Sequence, residues 1–153
     1  MRNTLMLASV VLLTGNTTNC NLTGPVNPPW ARFSHSVATF QCGPADGPAT
    51  AILLARDPID GLDPSLPYVR VVIQRAASAL PGTEWVVETS PGDVSAVYIT
   101  ASGASEQALS GTVRITRVAL HQRVEGSVAL RFPSRMVTEG FNAPWIESFV
   151  LCG

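Results

Sequence analysis

The chain has 153 residues, 46% of them apolar, which suffices for one domain with its own core and is unlike a disordered protein. Its ten basic residues are all arginines and are offset by eleven carboxylates, for a formal net charge of −1. Because no basic stripe is available to neutralise a run of phosphates, we exclude nucleic acid as a partner.

The N-terminal residues are typical of a secretory leader. Arg2 precedes the apolar run from Leu5 to Leu13, which is shorter than the roughly 20 residues of a membrane-spanning helix but suits a signal peptide. A buried N-terminal helix or strand is the alternative. We expect residues 1–20 to form a signal peptide ending at or near Cys20, residues 21–29 a flexible tether, and residues 30–153 a single exported β domain.

From residue 34 onward the dominant hydrophobic period is two, which predicts β-strands. The candidate strands are 34–42, 49–55, 68–74, 83–89, 95–101, 111–120, 123–132, 136–145 and 147–152, with one helical turn at 75–80. Short turn sequences rich in Pro, Gly and Asp separate them, which favours hairpins over helical crossovers. We predict an all-β fold, an antiparallel β-sandwich or small closed barrel of eight or nine strands with at most one short helix.

The alternation also predicts which face of each strand is buried. In the four clearest strands the apolar phase is Val69, Val71 and Ile73; Val97, Ile99 and Ala101; Val124, Gly126, Val128, Leu130 and Phe132; and Val137, Phe141, Ala143 and Trp145. A repeat of Gly, small hydroxyl, Val, any residue and an aliphatic residue begins at Gly111 and again at Gly126. Glycine at such positions permits a bulge or a close backbone approach.

The three cysteines fall into a pair and a single residue. Cys42 ends the first candidate strand and Cys152 lies in the last one, so neighbouring first and last strands would let them form a disulfide. Unpaired buried thiols are the alternative. Cys20 lies shortly after the apolar run and is the odd cysteine, as a lipidation or cleavage site would be.

The C-terminal strands contain the segments Gly111 to Ile115, Gly126 to Phe132 and Gly140 to Pro144, followed by Cys152. Together with Cys20, these residues resemble small bacterial envelope lipoproteins of unknown function. The resemblance implies that Cys20 becomes an acylated N-terminus, so that the protein meets the membrane only through this lipid. Asn19 stands where that family has Gly, Ala or Ser. Cleavage after Cys20, releasing a secreted or periplasmic domain, is therefore the alternative.

Catalytic motifs are lacking in the sequence. No G-x-S-x-G or H-E-x-x-H pattern accompanies the two histidines, His35 and His121. We expect both to be exposed on a strand or turn. A small hydrolase that assembles Ser34 or Ser36, His121 and an Asp is the lowest-ranked alternative.

One loop carries candidate metal ligands. Asp57, Asp60 and Asp63 of DPIDGLDP suggest a calcium site, but their spacing differs from that of an EF-hand, and Tyr68 stands where a bidentate Glu is required. A Pro-punctuated polar loop is the favoured interpretation.

The tryptophans are the remaining candidates for binding. Trp30, at the junction of tether and domain, is the candidate ligand-binding aromatic, whereas Trp85 and Trp145 lie in the apolar phase of their strands and are expected in the core. We therefore expect a noncatalytic envelope or secreted module without a cofactor, with an unknown protein or small-molecule partner. The alternative is a ligand-carrying barrel for a small apolar molecule or glycan.

Overall fold

The computed structural model describes residues 32–43, 46–88, 92–148 and 152. The predicted signal peptide and tether, with Cys20 and Trp30, lie outside these residues. Within them the fold is all β, as predicted, with one short 3-10 turn at Ala77–Ala79. The strands are β1 (His35–Cys42), β2 (Pro48–Ala55), β3 (Tyr68–Ile73), β4 (Glu84–Val87), β5 (Val94–Ile99), β6 (Ser105–Gln107), β7 (Ser110–Ala119), β8 (Arg123–Arg131) and β9 (Met136–Ile146).

These strands form one sheet in the order β4-β7-β8-β9-β1-β2-β3-β5-β6. Neighbouring strands are antiparallel within the group β1-β2-β3-β5-β6 and within the group β4-β7-β8-β9. The two groups meet where β1 pairs in parallel with β9, with Ala38 opposite Trp145 and Thr39 opposite Ile146. The sheet is therefore mixed, where the hairpins alone predicted an antiparallel one, and it curls into a half-barrel.

A cluster of buried apolar side chains fills the concave side of the sheet. The largest fully buried members are Ile52, Leu54, Ile73, Leu80, Ile115 and Leu130. Phe33, Tyr98 and Phe132 add an aromatic group, with the Tyr98 ring centroid 6.3 Å from Phe33 and 5.7 Å from Phe132. Branched aliphatic residues dominate because they pack well on a pleated surface.

The predicted buried faces are confirmed for β3, β8 and β9 and are wrong for β5. In β5 the buried residues are Val94, Ala96 and Tyr98, whereas Val97 and Ile99 are only half-buried and Ala101, beyond the strand, is exposed. A shift of one residue exchanges the two faces of a strand. The reason here is Tyr98, whose ring packs in the aromatic group and whose hydroxyl lies 3.1 Å from Nη1 of Arg135.

The two repeated glycines sit where strands approach closely, as predicted. A Cβ at Gly126 would collide with the carbonyl oxygen of Arg114 and lie 2.8 Å from the Phe141 ring. Gly126 pairs with Ile115, next to a bulge in β7 between Ile115 and Arg117. Gly111 has a φ of 150°, and a Cβ there would meet the backbone of β8.

Two details of the strand prediction differ from the structure. The candidate strand 147–152 is not seen at Glu147, Ser148 or Cys152, which are irregular, and its other residues lie outside the described part. β6 was not predicted, because its three polar residues show no apolar period. The expected helical turn at 75–80 is confirmed as the 3-10 turn.

Candidate functional site

The disulfide predicted between Cys42 and Cys152 is confirmed, with the two Cα atoms 5.4 Å apart. Cys42 is the last residue of β1, and the parallel pairing of β1 with β9 brings the chain after β9 to the same end of the sheet. The bridge therefore fastens the C-terminal segment to the strand at which the described domain begins.

Hydrogen bonds of two hydroxyl groups hold the C-terminal segment at the residues that come directly after β9. Thr39 Oγ1 is buried and lies 2.8 Å from the carbonyl oxygen of Ile146 and 2.9 Å from Ser148 Oγ. Ser148 Oγ donates a hydrogen bond to the carbonyl oxygen of Phe40 at 2.6 Å. Glu147, between the two residues that this network fixes, is thereby held at the end of the sheet.

The turn between β7 and β8 reaches this end of the sheet as well. Residues 120–122 form the turn, and the backbone N–H of Trp145 donates to the carbonyl oxygen of Gln122 at 2.8 Å. His121 has a φ of 57°, a left-handed conformation in which histidine is several-fold enriched among non-glycine residues. The turn thus places the His121 side chain beside the end of β9.

His121 and Glu147 form a pair there. His121 Nδ1 lies 2.6 Å from Glu147 Oε1, and the side chains are 74% and 68% exposed. The hydrogen bond with His121 holds the pKa of Glu147 below its ordinary value of 4.5, with smaller contributions from the Trp145 indole and the imidazole charge. The carboxylate is therefore ionised at neutral pH and open to solvent.

Trp145 joins this pair to the core. Its indole packs against the buried cluster, as predicted, and its ring centroid lies 6.3 Å from that of His121 in an edge-to-face arrangement. The indole N–H is close enough to Glu147 to lower the carboxyl pKa, although it makes no hydrogen bond of ordinary geometry.

Together these groups line a surface cavity of about 360 Å³, which we call the Trp145 cleft. Its lining is Phe40, Leu120, His121, Trp145, Glu147 and Ser148, with the segment 76–78. The cleft combines aromatic and aliphatic surface with an ionised carboxylate, an imidazole and hydroxyl groups. Small-molecule sites share this mixture of apolar walls and few polar groups.

Other clefts of the described residues offer less varied chemistry. One of about 280 Å³ is lined by residues of β1, β3 and β5, and one of about 310 Å³ is lined by residues of β1, β2 and β3 together with Leu62 and Pro64. The charged group that both share is Arg70, and it donates a hydrogen bond to the Gln41 side chain. A more voluminous cavity of about 530 Å³ is lined mostly by small residues, and its charged side chain, Arg75, is paired with Asp93. We therefore take the Trp145 cleft as the candidate site.

The loop considered for calcium does not bring its three carboxylates together. Asp57 accepts a hydrogen bond from Ser65 Oγ at 3.1 Å, and Asp60 and Asp63 form an isolated backbone bridge. Within residues 32–43, 46–88, 92–148 and 152, no three His, Cys, Asp or Glu side chains lie together so as to hold a metal ion.

The residues considered for a hydrolase are not brought together by any contact in the described chain. Ser34 Oγ donates to the carbonyl oxygen of Arg56, and the carboxylate bonded to His121 belongs to Glu147 and not to an Asp. His121 is exposed at a hairpin turn, as expected from the sequence.

Comparison with known proteins finds no matching family model, no similar curated protein and no similar solved structure. The resemblance to envelope lipoproteins therefore stays a prediction from the residues. No helix among the described residues is both long and apolar enough to span a membrane.

Sequence reasoning missed the Trp145 cleft, since His121 and Glu147 are 26 residues apart. The signal that finds them is the hairpin register. Once Arg123 is paired with Pro144, the turn before β8 must lie beside the residues that follow Pro144.

Proposed function

We propose that this chain is a noncatalytic, exported binding module of the cell envelope or the secreted fraction, and that its ligand binds in the Trp145 cleft. The observation that carries the proposal is the convergence of Trp145, His121 and Glu147 at the disulfide-fastened end of the sheet. Because buried side chains fill the concave side, this favours recognition at the surface over enclosure of a ligand in a barrel.

The hydrogen bonds in the cleft favour binding over hydrolysis. A serine nucleophile needs a base within hydrogen-bonding reach of its hydroxyl proton. Ser148 lines the cleft, but its hydroxyl donates to the carbonyl oxygen of Phe40. His121 Nδ1 is directed at Glu147, a carboxylate–imidazole arrangement that hydrolases also use. The preference for binding therefore rests on the Ser148 hydroxyl, which is bonded to backbone and not to the imidazole.

The disulfide supports export, because such bonds persist in oxidising compartments. Export and processing are tested by intact-mass spectrometry of the native, membrane-fractionated protein, with and without reduction. We expect a mature chain that starts at or just after Cys20, with or without an acyl mass, and gains 2 Da on reduction. A chain that still starts at Met1 would contradict export.

Binding in the cleft is tested with the oxidised protein and a fixed set of probes. The set contains three neutral tetrasaccharides (maltotetraose, cellotetraose and N-acetylchitotetraose), choline and decanoate. Chemical-shift changes in ¹⁵N–¹H spectra should concentrate at residues 120–122 and 145–148 for at least one probe. If none of the probes moves these signals, the cleft is not the binding site.

A further inference from the structure

We propose that the ligand of the Trp145 cleft is a neutral saccharide, bound by one or two sugar rings. This inference rests on the proposed function, since it names the ligand class of the same cleft. It follows from three properties of the site: its size, its pairing of aromatic surface with hydrogen-bonding groups, and the weakness of its net charge.

The size of the cleft suits a small cyclic ligand. Its volume of about 360 Å³ lies at the lower end of the range for small-molecule sites, roughly 300 to 1,000 Å³. A sugar ring carries C–H groups on its faces and hydroxyl groups around its edge. It therefore needs a wall that is apolar on one side and polar on the other.

The Trp145 cleft has both an apolar wall and a polar wall. Trp145 and Phe40 supply aromatic surface, and Leu120, which is exposed, extends the apolar part. Aromatic side chains bury much area at a low entropic cost. Glu147 and His121 stand on the polar side, within the same lining.

The polar pair matches hydroxyl groups, which both donate and accept hydrogen bonds. A carboxylate can accept about four hydrogen bonds, so Glu147 can accept from a ligand hydroxyl while it stays bonded to His121. With Nδ1 directed at Glu147, His121 Nε2 is an acceptor in the neutral ring and a donor in the imidazolium. A vicinal diol can engage both residues at once.

The charge of the pair gives a cationic ligand little advantage. Both side chains are largely exposed, at 74% and 68%, so solvent screens their charges and opposite charges attract only weakly there. Imidazole protonation would also offset the carboxylate charge. Stacking and neutral hydrogen bonds depend much less on solvent screening, which favours a neutral ligand.

The test uses the full oxidised chain and the three neutral tetrasaccharides, with choline and decanoate as competing ligand classes. Affinities are measured by isothermal titration calorimetry for the wild type, Trp145→Phe and Glu147→Gln. Trp85→Phe is the matched control, because Trp85 is a second half-buried tryptophan packed on the core and does not line the cleft. Near-UV circular dichroism verifies that each variant is folded.

We expect at least one tetrasaccharide to bind with a millimolar or lower Kd. Trp145→Phe and Glu147→Gln should each weaken it about tenfold, which corresponds to roughly 1.4 kcal/mol, whereas Trp85→Phe should leave it unchanged. Saccharide binding that neither cleft variant weakens would overturn the assignment. If only choline or decanoate binds, and Trp145→Phe abolishes that binding, the saccharide proposal is wrong but the binding function is supported. No binding by any probe would overturn both proposals.

Discussion

Removal of the Cys42–Cys152 disulfide should destabilise the domain more than most single substitutions can. The bridge spans 110 residues of sequence, and the chain-entropy relation assigns to the closure of such a loop about 4.8 kcal/mol at 25 °C. Domains of this size unfold with only about 5–15 kcal/mol. The double variant Cys42→Ala, Cys152→Ala should therefore lose a third or more of its free energy of unfolding.

The assay is urea unfolding at 25 °C, followed by tryptophan fluorescence and far-UV circular dichroism. With a urea dependence of about 1–3 kcal/mol per molar, the loss corresponds to a midpoint lower by roughly 2–5 M. The wild type measured in reductant should behave like the double variant. Gly140→Ala, which leaves the bridge intact and adds a methyl group with no atom nearer than 3.9 Å, is the control and should match the wild type.

One result would refute the reasoning directly. If the double variant folds and its free energy of unfolding lies within about 1 kcal/mol of the wild type, as for an ordinary surface substitution, the bridge does not act by restricting the unfolded chain. A variant that fails to fold, together with a wild type that unfolds on reduction, agrees with the predicted loss.

Three further predictions concern single side chains. Gly126→Ala should destabilise by about 1–3 kcal/mol in urea unfolding, because the added methyl collides with neighbouring backbone, while Gly140→Ala, with no atom nearer than 3.9 Å to the new Cβ, should change stability little. If the two alanines cost the same, the close approach is not the cause. Thr39→Val should cost about 1 kcal/mol or more by removing a buried hydroxyl from its hydrogen bonds, and an unchanged urea midpoint would show that the network is not stabilising. Carbon NMR titration should place the Glu147 pKa below 4.5, so the pair stabilises the fold at neutral pH and this contribution is lost as pH falls through the folded pKa. His121→Ala should return the pKa toward 4.5, and an unshifted value in the wild type would contradict the pairing.

Much of the fold could be predicted because a strand with one buried face shows it directly in the sequence. Val124, Val128 and Leu130 lie in one phase of β8 and are buried, whereas Ser127, Ala129 and Arg131 of the other phase are exposed. β5 shows where this reasoning fails. Both phases of its sequence carry apolar residues, and the choice between Tyr98 and Val97 depends on partners far along the chain, which alternation does not report.

The candidate site could be predicted only in fragments. Cys42 and Cys152 were paired correctly because each ends a candidate strand and disulfides link neighbours. The Trp145 cleft could not be predicted, because its polar pair consists of His121 on a hairpin turn and Glu147, which follows β9. Its location depends on the register of β8 against β9, and on a parallel pairing between β1 and β9 that hairpin spacing does not indicate.

The attachment of the C-terminal segment to β1 and the geometry of the Trp145 cleft depend on the same few residues. Glu147 follows β9 directly and precedes Ser148, which is bonded to Phe40, and Cys152 is bridged to Cys42. A carboxylate on a free chain end would lose conformational entropy whenever it bound a ligand. Anchors on both sides of Glu147 reduce that loss before the ligand arrives. We therefore expect the disulfide both to stabilise the fold and to preorganise the cleft, so that a compartment that keeps the disulfide oxidised also keeps the proposed site assembled.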